Sequence, residues 1–168
     1  WRNTFPDARI VADGEVLALT PGAHDLVIHA MGLHWANDPV GQLIQCRRAL
    51  AEDGLLLAIT LGGRTLHELR SALAEAETRV TGGLSPRIAP MGEVRDLGGL
   101  LQRAGFALPV ADVVPLTAQY RDSLHLMQEL RAMGEGNAMA QRLKHLSPRA
   151  LFARTEAIYR AHFALENG

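Results

Sequence analysis

The junction between Asp25-Leu-Val-Ile-His-Ala30 and Met31-Gly-Leu-His-Trp-Ala-Asn-Asp38 constrains the fold more than any other segment. An apolar, β-favouring run without alternation reads as a strand buried on both faces. It ends abruptly in a polar, aromatic, turn-forming cluster, and a helical pattern follows. A buried parallel strand delivers side chains to the carboxyl edge of an α/β sheet in this way, and ligands of open α/β sheets bind at that edge. Asp38-Pro39 starts the helix, since a carboxylate caps free amide groups and proline fits the first turn. Val40, Leu43, Ile44 and Leu50 form the expected inward stripe of a helix over 40–50. Glu52-Asp53-Gly54 is a turn, and Leu55 to Thr60 is a second apolar strand.

The remaining chain continues an α/β alternation. Ala8 to Ala12 is a short strand candidate ended by Asp13-Gly14. Thr65 and Glu68 have capping-box spacing, which predicts a helix from Thr65 to about Arg79. Residues 81–92 form a Gly- and Pro-rich loop. Val94, Leu97, Leu101 and Ala104 mark a helix closed by Gly105. Phe106 to Leu116 reads as a strand, interrupted or ended by Pro109 and Pro115. Helices over about 122–133 and from Ser147-Pro148 onward close the chain, the last burying Leu151, Phe152, Ile158, Tyr159 and Phe163. The order β-β-α-β-α-α-β-α-α predicts an α/β domain with a mainly parallel sheet.

Composition excludes several classes. The 168 residues suffice for one domain with a core. A formal net charge of −1 gives no electrostatic footprint for nucleic acid or an anionic membrane. The lone Cys46 rules out an internal disulfide and a Cys-based zinc site, and its helical setting predicts a buried structural thiol. No apolar run approaches the roughly 20 residues of a membrane span. His24, His29 and His34 are spaced by five, which suits neither one strand face nor one helix face, so no metal site is expected. No Gly-x-Ser-x-Gly elbow and no Gly-x-Gly-x-x-Gly fingerprint is present.

Candidate site residues cluster at the strand exits. His34 and Trp35 suit an acceptor-pocket wall: indole supplies apolar area, and imidazole accepts a proton or orients a substrate. Packing of Trp35 under the next helix, with His34 on the surface, is the competing reading. His29 is expected to be structural, and Asn37 and Asp38 to be turn and cap. Gly62 and Gly63 permit close approach of backbone to a ligand. Arg64, His67 and Arg70 suit an anionic substrate or a solvated helix face.

Gly62-Gly-Arg-Thr-Leu-His-Glu-Leu-Arg70, Gly82-Gly-Leu-Ser-Pro-Arg-Ile-Ala-Pro90, Asp96-Leu-Gly-Gly-Leu-Leu-Gln-Arg-Ala-Gly-Phe106, Tyr120 and Met133-Gly-Glu-Gly-Asn137 form an ordered set. With Asp25 to Asp38, this set closely resembles class I S-adenosylmethionine-dependent methyltransferases. The resemblance is strongest to the methyltransferase-fold assembly factors of mitochondrial respiratory complex I and their alphaproteobacterial relatives, and more distant to the malonyl-carrier-protein methyltransferases of biotin synthesis. It covers nearly the whole chain. It implies a Rossmann-like, doubly wound sheet, with Asp25–Ala30 and Leu55–Leu61 as the fourth and fifth strands.

The resemblance also implies a site. Asp13 and Gly14 would lie at the adenine, although a turn Asp before a Gly is an equally open reading. Ala30, Met31 and Trp35 would lie beside the transferring methyl group. Gly62, Gly63, Arg64, His67 and Tyr120 would face the acceptor, with a helical cap over about 120–165. The acidic Gly-rich loop of such proteins is absent before Asp13. The chain is therefore expected to be part of a longer protein, without the first two strands and the last strand. Such a piece would bind cofactor weakly or not at all, and would either self-associate through exposed apolar edges or need the missing segments.

Three functions compete: methyl transfer to a small molecule or protein, hydroxylation of a protein arginine, and a non-enzymatic role in assembling respiratory complex I. A bacterial cytoplasmic setting is the implied location.

Overall fold

Two parallel strands joined by a helix organise the amino-terminal part of the chain. The computed structural model describes residues 15–165. The strand candidate at Ala8–Ala12, like Asp13 and Gly14, lies outside them. Strand β1 is His24–Ala30, helix α1 is Pro39–Ala49 and strand β2 is Leu50–Ile59. The strands pair in parallel, with Leu26 opposite Leu55, Ile28 opposite Leu57 and Ala30 opposite Ile59. Between the His24–Leu50 and Leu26–Leu55 pairs the register shifts. The Glu52-Asp53-Gly54 turn bulges out there, with Asp53 in a left-handed conformation at φ 61°.

Helix α1 begins as the sequence predicts. Pro39 occupies the first turn, and the Asp38 carboxylate accepts a 2.8 Å hydrogen bond from the Gly41 amide. Leu43 of the expected stripe is fully buried, together with Gln42, Cys46 and Ala49, whereas Val40 and Ile44 are half-buried and Leu50 already belongs to β2. Cys46 is fully buried and packs with Val27 and Ala49. Burial pushes its thiol pKa up, as suits a structural cysteine. Truncating the fully buried Leu43 to alanine would cost about 2–5 kcal/mol.

The expectation that β1 is covered on both faces is corrected here. Val27 and Leu56 face α1, whereas Leu26, Ile28, Leu55, Leu57 and Ile59 share the other face and are between 46% and 59% exposed. A third helix, α3 (Val94–Arg103), packs Leu97, Leu100 and Leu101 against Leu33, Leu43 and Ala104, and Gly105 follows it at φ 86°.

The expected strand at Phe106–Leu116 does not form. The segment has no strand pairing; Leu108 is 92% and Leu116 88% exposed. A strand needs a neighbour's edge, and among the described residues β1 and β2 pair only with each other. Pro109 and Pro115 also remove two ladder donors. The described fold is thus α/β with a two-stranded parallel sheet.

Residues fall into two compact units, Trp1–Gly63 with Met91–Val114, and Arg64–Pro90 with Pro115–Gly168. The second unit is helical: α2 (His67–Thr81), α4 (Ser123–Ala132) and α5 (Arg149–Phe163). Ala72 and Ala76 of α2 pack with Leu151 and Ile158 of α5, and Leu69 and Leu73 pack with Leu126 of α4. The capping box expected at Thr65 and Glu68 is not formed. Leu66 is the N-cap, left-handed at φ 56° and without a side-chain cap bond. Glu68 instead accepts a 2.7 Å hydrogen bond from the Tyr159 hydroxyl of α5. Burial, then that carboxylate, raises the Tyr159 pKa, so the phenol stays a donor. Asp122 caps α4 through the His125 amide at 2.7 Å, and Ser123 donates from its amide and hydroxyl to Glu156.

The loop after α2 is held by one buried carboxylate. Glu77 accepts from the Ser85 amide at 3.0 Å, the Ser85 hydroxyl at 2.5 Å and Arg87 Nη2 at 2.7 Å. Arg87 Nη1 donates to Ser147 Oγ at 3.0 Å, and Asn137 donates to the Pro86 carbonyl at 2.8 Å. The Ser-Pro-Arg stretch therefore acts as a clip on α2.

Burial works to raise the Glu77 pKa. The hydrogen bonds from Arg87 and Ser85, with the Arg87 charge, outweigh it and hold the carboxyl below its ordinary value. A lowered folded pKa means stability that is full above the unfolded value, about 4.3, and is lost as pH falls through the folded value. Denaturant unfolding should show this acid-side loss, and Glu77→Gln should remove most of it while destabilising the protein by roughly 2–4 kcal/mol. An unchanged pH profile in that variant would show that the clip does not contribute to stability.

Candidate functional site

The exit of β1 is one of three places where a described non-glycine residue turns left-handed. Met31 still pairs, its amide donating to the Ile59 carbonyl at 2.7 Å, but its backbone turns left-handed at φ 52°. A non-glycine residue held there is strained by about 1–2 kcal/mol, and such strain collects at functional sites. Gly32 lets the chain pass the His29 ring, since a Cβ there would lie 3.3 Å from His29 Cε1. A single 3₁₀ turn, Leu33–Trp35, follows with Leu33 buried.

This turn fixes His34 and Trp35 side by side. Their ring centroids are 5.3 Å apart and tilted by 45°. His34 Nδ1 lies 3.1 Å from Thr60 Oγ1, just past the end of β2. Both residues are half-buried, so the pair is neither sealed into the core nor free in solvent. Thr60 was not among the candidates from sequence. The signal was present in the pairing: with Ala30 opposite Ile59, the residue after β2 lies beside the loop that leaves β1.

The neighbouring residues divide as expected. His29 Nε2 lies 2.8 Å from Gln42 Oε1 of α1, a structural bond that explains why Gln42 is buried. Asn37 donates to Glu15 at 2.6 Å, and Asp38 is the α1 cap. At Gly62 and Gly63 the backbone approaches Gly92. The Gly63 amide donates to the Gly92 carbonyl at 2.8 Å, and a Cβ on Gly62 would lie 3.0 Å from that oxygen.

The other acceptor-side candidates lie in the helical unit. Arg64 Nη2 lies 3.1 Å from His67 Nε2, and His67 Nδ1 donates to the Arg64 carbonyl at 2.9 Å. Tyr120 packs on the Leu69–Leu73–Leu126 cluster and meets the His125 ring edge-on at 5.8 Å. A depression of about 360 Å³ lies over the Ser-Pro-Arg clip. Its carboxylate, Glu77, is already engaged by Ser85 and Arg87. Among the described residues, no group of three or more His, Cys, Asp or Glu could hold a metal ion, and no helix is long and apolar enough to cross a membrane.

The residues at the β1 exit fit the sulfonium end of S-adenosylmethionine. Trp35 is half-buried and Ala30 and Met31 are exposed, residue types that suit a cationic, methyl-bearing ligand. No ionic partner is demanded of them.

No protein-family model matches the chain. Individual relatives do. The mitochondrial arginine-hydroxylase NDUFAF5 of Rattus norvegicus is 39% identical over 164 residues, which is 98% of this chain and 48% of the relative. That of Danio rerio is 37% identical over 166 residues, 99% of this chain and 51% of the relative. The malonyl-[acyl-carrier protein] O-methyltransferase of Laribacter hongkongensis is 38% identical over 152 residues, 90% of this chain and 49% of the relative. The chain spans about half the length of the curated relatives it matches. Along nearly all of its own length the chain is similar to both groups, which are members of the S-adenosylmethionine-dependent methyltransferase family.

Proposed function

We propose that the full-length protein is an S-adenosylmethionine-dependent methyltransferase whose methyl-transfer centre is the loop Ala30–Trp35. The observation that carries this reading is the β1 exit: strained Met31 and paired His34 and Trp35 at the carboxyl edge of a parallel strand pair. When bound, the sulfonium supplies an already activated methyl group, so the protein's work is positioning and exclusion of water rather than acid-base chemistry. Trp35 would face the cationic end, with Ala30 and Met31 beside it. His34 would orient the acceptor or take its proton. Asp13, with Gly14, would accept a hydrogen bond from the adenine amino group. Gly62, Gly63, Arg64, His67 and Tyr120, with the helices of about 120–165, are the proposed acceptor-side elements. Relatives named as O-methyltransferases support the transferase reading.

The acceptor is a small molecule or a protein. The relatives named arginine-hydroxylase favour a second reading, hydroxylation of a protein arginine. The resemblance to complex I assembly factors makes a subunit of that complex the first protein partner to test, including for a purely scaffolding role. The five exposed apolar side chains on one face of β1 and β2 support self-association when that face is uncovered. A bacterial cytoplasmic setting is the matching location.

Two measurements test this. By calorimetry on the full-length protein, S-adenosylmethionine should bind, and Asp13→Ala should weaken binding by about 1–3 kcal/mol by leaving a buried amino group unpaired. Unchanged affinity in the variant would remove Asp13 from the site. Intact-mass analysis of a candidate acceptor incubated with protein and cofactor should show a gain of ~14 Da for methylation; a gain of ~16 Da in a parallel incubation supplied with dioxygen and a reductant would mark hydroxylation, and no change in either a scaffold.

A further inference from the structure

We infer that Gln45, assisted by Asn37, is a positioning residue: its side-chain amide clamps the 15–17 segment to α1 and so sets where the chain ahead of Glu15 meets the β1 exit. The inference rests on the methyl-transfer reading, which assigns Asp13, two residues before Glu15, to the adenine of the cofactor. Gln45 Oε1 accepts from the Leu17 amide at 2.8 Å, and Gln45 Nε2 donates to the Glu15 carbonyl at 3.0 Å. A backbone amide only donates and a carbonyl only accepts, so both ends of the glutamine amide are assigned. The side chain thus pairs with the backbone of 15 and 17 as a neighbouring parallel strand would.

The clamp belongs to a path that leads to the candidate site. Followed backwards from β1, the chain runs along α1 from its end to its start. The Ala23 amide donates to the Ala49 carbonyl at 3.1 Å and the Gly22 amide to the Arg48 carbonyl at 2.9 Å. Leu17 and Glu15 are then held by Gln45, and the Glu15 carboxylate accepts from Asn37 at 2.6 Å. Asn37 is two residues past Trp35, so Glu15 arrives at the edge where β1 ends. Leu17 and Leu19 also pack against the Val27–Cys46–Ala49 cluster. Apolar contact is non-directional and leaves register open, whereas two hydrogen bonds to one amide fix it. One side chain of α1 thereby joins the two stretches that the functional reading gives to the two ends of S-adenosylmethionine.

Amide hydrogen exchange and calorimetry on the full-length protein test this together. Without cofactor, the Leu17 amide should be protected from exchange. Gln45→Met, which keeps the length of the side chain but neither bond, should remove that protection. At a temperature where both proteins remain folded, Gln45→Met should weaken S-adenosylmethionine binding roughly tenfold, and Asn37→Ala about threefold. A role confined to stability would leave both affinities unmoved. An unprotected Leu17 amide in the wild type, or wild-type affinity in Gln45→Met, would overturn the inference. Where Gln45→Met fails to fold, the exposed Asn37→Ala site decides, and wild-type affinity there would overturn it. A wild type that binds no S-adenosylmethionine would overturn the functional reading, and the inference with it; a wild type that binds while the variants bind equally well would overturn the inference alone.

Discussion

The parallel pairing of β1 with β2, clamped from one side by α1, is the constraint on which the candidate site depends. Val27 and Leu56 meet Cys46 and Ala49 across that interface, beside the His29–Gln42 bond. The register it enforces brings Ala30 level with Ile59. Both strands then end together, and the loop after each begins on the same edge. His34 from one loop reaches Thr60 at the start of the other, and the Met31 amide reaches the Ile59 carbonyl, because of that level ending. A one-residue slip would turn Val27 from α1 and separate the two exits.

The helical unit is ordered by a different kind of interaction. Its apolar contacts are modest, and buried polar ties complete it: Glu77 with Ser85 and Arg87, Ser123 with Glu156, and Tyr159 with Glu68. Glu156 and Glu68 receive their donors from helices distant in sequence, and Glu77 from the loop that follows its own helix. Such ties are costly to break singly, because one partner is left desolvated. The Ser-Pro-Arg stretch, conspicuous in the sequence, thereby gains a structural explanation that does not call on a ligand.

Much of this was legible in the sequence. The unbroken apolar runs announced β1 and β2, and Asp38-Pro39 announced the start of α1, because both signals are local. Gly105 marked the end of α3 for the same reason. The strand at Phe106–Leu116 was misread because composition reports β-favouring side chains but not whether an edge exists to pair with. The capping box at Thr65 failed because Glu68 found a better partner in Tyr159, 91 residues away, which no short window contains. Thr60 and Gln42 were missed for a related reason. Their roles appear only when two strands, or a strand and a helix, are brought side by side. At the candidate site, His34 and Trp35 were legible as candidates, and the Thr60 hydroxyl that His34 meets was not.

The central claim is that the loop leaving β1 forms the cofactor's methyl-end site. Backbone and indole chemical shifts, followed while the full-length protein is titrated with S-adenosylmethionine, test it most directly. The account predicts that among residues 15–165 the largest changes fall on Ala30 to Trp35, including the Trp35 indole, and on the neighbouring Thr60 to Gly63 backbone. Changes centred instead on the Glu77–Ser85–Arg87 clip, or none along the β1 exit at saturation, would contradict it.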